Sequence, residues 1–155
     1  MSTPRRVRPP KRLQELSERL IDNGPFQSKQ KALMFAAAVG VYLDKRAPFS
    51  SSDTAIRWDI FERNNDDTFI YALAIAETGG LGILSDDTSE SEDFITIFEE
   101  YANAGLKYVE DRIVNTPGNL LDELIQLILT VQRSGEEAPP GLEGLTQEDL
   151  DMLGL

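Results

Sequence analysis

Residues 32–43 place apolar side chains nearly all the way round a helix. A helix without a polar face cannot lie on a surface, so this segment must be enclosed by other parts of the chain. At twelve residues it is too short to cross a bilayer, which takes about 20. The remaining sequence therefore has to supply helices that surround it, and 155 residues are enough to build one such core.

Four further helices are expected from apolar spacing. Leu13, Leu16, Leu20 and Ile21 recur at helical intervals after Pro10, which suits a first turn because its missing N–H costs nothing there. Asn23, Gly24, Pro25 and Phe26 end that helix, and Ser28 is a good N-cap for the enclosed one. Asp66 or Asp67 caps a third helix through Phe69, Leu73, Ile75 and Ala76, stopped at Gly79 and Gly80. Phe94, Ile97, Phe98, Tyr101, Leu106, Val109 and Ile113 describe a long helix ending before Pro117, with Gly105 marking a close packing point. Asn119 caps a fifth through Leu121, Leu124, Ile125, Ile128 and Val131. Ile56, Trp58, Ile60 and Phe61 fit a short strand and a helical turn equally well. The expected fold class is mainly α, with about five helices in one compact domain. A basic extended arm (1–10) precedes the helical domain (11–133). An acidic linker, rich in Pro and Gly, and a short C-terminal helical segment follow it (134–155).

Charge is divided unevenly along this plan. Ten Lys and Arg residues against four acids give residues 1–46 a net charge of +6, while five against 23 give residues 47–155 a net charge of −18. A basic end joined to an acidic body points to two different surfaces, one of them suited to an anionic partner. There is no His and no Cys. Zinc sites of the usual kind, thiol catalysis and Ser-His-Asp chemistry are therefore excluded, and no other catalytic constellation stands out. Glu99 and Glu100, like Asp122 and Glu123, are adjacent in sequence and point about 100° apart on a helix, so neither pair forms a carboxylate dyad. The acids at 86–93 lack the glycine and register of a calcium loop, and Gly79-Gly80-Leu81-Gly82 lacks a phosphate-binding lysine. No metal and no cofactor is expected. The chain reads as a cytoplasmic, non-enzymatic protein without a membrane span.

The binding candidates lie in the basic end. Arg5, Arg6, Arg8, Lys11 and Arg12, then a helix, a Gly-Pro-Phe turn and a helix opening at Ser28, follow the order of a ribbon-helix-helix module. In such a module a short strand from each of two chains enters the DNA major groove and the second helix starts at a phosphate. Ser28, Lys29 and Lys31 would then sit at the phosphate, and the protein would be a homodimer. The same cations equally suit an acidic protein face or a solubilising arm. Arg57, Trp58 and Arg63 form a second, mixed patch around the single Trp, read either as an interaction surface or as a core anchor beside solvated charges.

Several stretches resemble the small accessory family of DNA phosphorothioation-associated protein four. They are Phe26-Gln-Ser-Lys-Gln-Lys-Ala-Leu-Met-Phe-Ala-Ala-Ala-Val-Gly40, Ile56-Arg-Trp-Asp-Ile-Phe-Glu-Arg-Asn64, Ile97-Phe-Glu-Glu-Tyr-Ala-Asn-Ala-Gly-Leu106 and the run from Leu73 to Leu84. The resemblance covers most of 5–119 and leaves 138–155 outside it. It implies a role beside the systems that put sulfur into the DNA backbone, and the restriction that accompanies them, without supplying catalytic residues. The expectation is an accessory or regulatory binding protein that contacts DNA or a protein of the system through its basic part. The alternatives are a dimeric ribbon-helix-helix repressor and a protein adaptor without DNA contact.

Overall fold

The computed structural model describes residues 5–84, 93–114 and 120–135, together with Glu148 and Met152. Among these it contains six α-helices and one two-stranded sheet. The enclosed helix of the sequence is α2 (Lys29–Leu43), and Ser28 caps it by accepting the Lys31 N–H at 3.2 Å. Its most extensive neighbour is α5 (Phe94–Val109), itself capped by Asp93, which accepts the Ile95 N–H at 3.0 Å.

Two glycines set the spacing of this central pair. A methyl group at Gly40 would overlap the Tyr101 carbonyl oxygen, and one at Gly105 would overlap the carbonyl oxygen of Ala36. The backbones therefore approach where Ala36 and Gly40 on α2 meet Tyr101 and Gly105 on α5, and larger side chains fill the space on either side. Leu33, Ile97, Phe98 and Leu106 are fully enclosed.

The other helices close round the pair. α1 (Lys11–Ser17) contributes Leu13 and Leu16 and continues as a wider π-helical turn (Glu18–Asp22) that buries Leu20. The ambiguous segment at 56–61 contains both expected forms in succession: strand β2 (Ile56–Arg57) runs directly into α3 (Trp58–Arg63). Trp58, Phe61, Tyr71, Phe94 and Phe98 form a linked aromatic cluster with ring centroids 5.2–5.9 Å apart. α4 (Asp67–Thr78) ends at Gly79, whose φ of 81° supplies the left-handed stop. α6 (Leu120–Gly135) lies outermost and inserts Leu124 into the core. Asn119, the acids at 86–92 and nearly all of the expected tail fall outside the described residues.

The basic arm is extended and zipped to its own chain. Strand β1 (Arg6–Val7) pairs antiparallel with β2, Arg6 opposite Arg57 and Val7 opposite Ile56. The pairing continues at both ends: the Trp58 N–H donates to the Arg5 carbonyl (3.0 Å), Asp53 N–H to the Pro9 carbonyl (2.9 Å) and Lys11 N–H to the Ser51 carbonyl (3.0 Å). Pro9 is tolerated because it enters the ladder through its carbonyl. Val7, Pro9 and Pro10 are buried beneath this zipper.

Candidate functional site

Because the arm lies on the acidic body, its cations meet acids of that body. The Arg5 guanidinium stands 3.5 Å from Asp93 and lies over the Phe94 ring at 4.8 Å. Arg8 donates its backbone N–H to Glu99 at 2.5 Å and brings its guanidinium to 3.4 Å from the same carboxyl. Arg12 reaches Glu110 at 3.0 Å, Lys29 reaches Asp53 at 2.5 Å, and Lys31 reaches Asp66 at 3.1 Å. The Gln30 side-chain amide also donates to Asp66. Of the expected contact residues, only Arg6 and Lys11 are exposed cations without an ion pair among the described residues, and Ser28 serves as the helix cap.

The environment of these acids differs. Burial pushes the Glu99 carboxyl above its ordinary value, and the Arg8 N–H and charge only partly offset this. Glu99 is 2% exposed, on a face of α5 otherwise made of apolar side chains. Asp53 goes the other way: burial would raise it, but the Lys29 hydrogen bond, the Thr54 N–H and the Lys29 charge together hold it below the usual carboxylate range. A third centre, not singled out from sequence, surrounds Arg46. Its guanidinium holds Glu77 at 2.9 Å and Glu100 at 3.1 Å, and the Tyr101 hydroxyl donates to Glu77 at 2.6 Å. Burial and Glu77 push the Tyr101 hydroxyl up to about 12, while the Tyr101 and Arg46 hydrogen bonds hold Glu77 low. The partners of Arg46 lie 31 and 54 residues away, so no local spacing could have revealed them.

Strand pairing bears on the ribbon-helix-helix order. In that module the strand pairs with a second chain. Here one edge of β1 is taken by β2, and on the other side the Arg8 N–H is taken by Glu99. The mixed patch is split between two layers. Trp58 is buried against Phe61, Tyr71 and Phe94, while Arg57 and Arg63 share Asp59 on the surface at 2.8 and 3.6 Å.

Two adjoining open hollows of 720 and 440 Å³ share Ala47 and Lys107. Their linings hold the cations Lys11, Arg12, Lys45, Arg46, Lys107 and Arg112, with the acids Glu15, Asp44 and Asp111. Arg12 and Arg46 are already held by Glu110, Glu77 and Glu100. Glu15, Asp44 and Asp111 lie beside the lysines of the lining, so the hollows carry little net positive charge. No group of three or more acids is placed to hold a metal ion among the described residues. No helix among them is long and apolar enough to cross a membrane.

No curated protein and no solved structure matches the chain. A family model described as DNA sulphur modification system-associated protein 4 matches residues 6–143, from β1 through α6 and beyond. The match extends past residue 119, where the resemblance was expected to end, and takes in the start of the segment expected to lie outside it. It spans the zipped arm, the α2–α5 pair and the aromatic cluster together, and the chain belongs to the family of DNA sulphur modification system-associated protein 4.

Proposed function

We propose that this chain is a non-catalytic, cytoplasmic assembly component of a DNA sulphur modification system, binding a protein of that system rather than DNA itself. The observation that carries this reading is the internal pairing of the basic end. Arg5, Arg8, Arg12, Lys29 and Lys31 each lie against an acid of the same chain, so few of their charges remain for phosphates. The body that would face DNA beside them is strongly acidic.

Co-expression with each protein of the system, followed by size-exclusion chromatography, is the direct test, and one of them is expected to co-elute with this chain. In parallel, mixed-sequence duplexes with and without phosphorothioate linkages are titrated in a salt series. Binding no tighter than the non-specific range of about 10⁻⁴–10⁻⁶ M is expected at physiological salt. Absence of any co-eluting protein would remove the reading.

A second reading, direct DNA contact, is favoured by the exposed Arg6, Lys11, Lys45 and Lys107, which make no ion pair among the described residues. It requires tight, salt-steep binding that weakens when Lys11, Lys45 and Lys107 are replaced by Ala. A ribbon-helix-helix regulator further requires β1 to leave β2 and Glu99 to pair with a second copy.

A further inference from the structure

The apolar arc of helix α6 is wider than the part of it that the body buries. Leu120, Leu124 and Leu127 face the body, with Leu124 only 3% exposed. The arc continues outward from Leu124 as an exposed stripe in which Ile125 and Ile128 are 43 and 52% exposed, with Leu121 and Leu129 at either end. A helix lying singly on a surface presents a polar outer face, and a contiguous apolar outer stripe marks a contact surface.

The charges beside this stripe indicate what it contacts. Asp122 and Arg133 are eleven residues apart, three turns of helix, so they share one flank of the stripe at its opposite ends. Neither makes an ion pair among the described residues. When two identical helices pack antiparallel about a two-fold axis, each flank meets the same flank of its mate. The two ends are exchanged, so Asp122 meets Arg133 of the partner subunit, twice over. Parallel packing about a two-fold axis would instead set each flank against the opposite flank of its mate and leave Asp122 and Arg133 without each other. Antiparallel packing also opposes the two helix dipoles.

We propose that the outer face of α6 is the contact surface for a second copy of this chain, the two helices pairing antiparallel about an axis near Ile125 and Ile128. A seam one helix long is at the small end of specific interfaces, so the product is a reversible dimer rather than an obligate one. This dimer does not use β1 and leaves the arm in place. It stands independently of the proposed assembly role, because its failure leaves co-elution with a system protein untouched.

Sedimentation of the full chain over a concentration series tests it. The wild type is expected to show a monomer–dimer equilibrium in the micromolar range. Asp122→Arg alone and Arg133→Asp alone each turn two attractions into two repulsions and should weaken it about tenfold. The double substitution Asp122→Arg with Arg133→Asp should restore the wild-type equilibrium. Each single change also opposes the helix dipole, and the double change opposes it at both ends, so recovery in the double variant cannot come from helix stability. Ile128→Asp, at an exposed position, should leave a folded monomer. A wild type that stays monomeric at millimolar concentration would overturn the proposal. So would a dimer indifferent to the charge reversals, or a double variant weaker than either single one.

Discussion

At the scale of single residues, Glu99 has the most to say about how this chain is held. Its carboxyl is buried, and burial raises its pKa despite the Arg8 N–H and guanidinium. An acid with a raised folded-state pKa binds its proton more readily folded than unfolded. Its ionisation therefore costs stability, and that cost grows as pH rises from the ordinary value of 4.5 through the raised one, then stays constant. Glu99→Gln keeps an oxygen to accept the Arg8 N–H and removes the titration. Relative to wild type, the variant should gain stability as pH rises through that window and show no such gain below 4.5, as measured by urea unfolding at a series of pH values. The position was partly legible in the sequence, since Glu99 falls in step with Ile95, Ala102 and Leu106 along the buried side of α5. The spacing marks which side of the helix a residue occupies. It cannot say that an arginine 91 residues away is the partner.

At the scale of elements, the helices declared themselves by period and punctuation. α2, α4 and α5 sit where apolar spacing, Ser28 and Gly79 place them. Gly105 is the close packing point the sequence suggests, because the Ala36 carbonyl occupies the space a side chain would need. Gly105→Ala would gain about 1 kcal/mol of helix propensity if the site were open. With the α2 backbone in the way, the overpacking cost dominates, and chemical denaturation should find the variant less stable by about 2 kcal/mol. The π-helical ends of α1 and α5 were not legible, since a one-residue widening of a turn leaves the apolar pattern almost unchanged. The segment at 56–61 resisted a single assignment for a physical reason. Ile56 and Trp58 alternate across the end of a strand, and Trp58 and Phe61 share a helix face one turn apart, so both periods are present.

At the scale of the whole molecule, the uneven charge was plain from sequence, but its consequence was not. Composition gives the sign of each half, whereas geometry decides whether the halves face solvent or each other. Here the arm covers the body, and Val7 is fully buried beneath it. Removing residues 1–9 takes away the β1 ladder, the Arg8 N–H bond to Glu99 and an apolar side chain worth about 2 kcal/mol, and the lost Pro9 and ladder bonds add roughly 1 kcal/mol each. The truncated chain should melt at least 10 °C lower, at roughly 2–4 °C per kcal/mol for a domain of this size. A melting temperature unchanged by the truncation would return the arm to the solvent. The ion pairs of Arg5, Arg8 and Arg12 join residues 88 to 98 positions apart, about twice the span of the β1–β2 ladder. Loop closure over such distances comes late, after the local helices have formed. The residues synthesised first thus complete their bonds only once α5 is in place. Until α5 has emerged and folded, a growing chain carries Arg5, Arg8 and Arg12 uncovered beside helices that lack their final partner, which is the interval in which it is most open to wrong contacts.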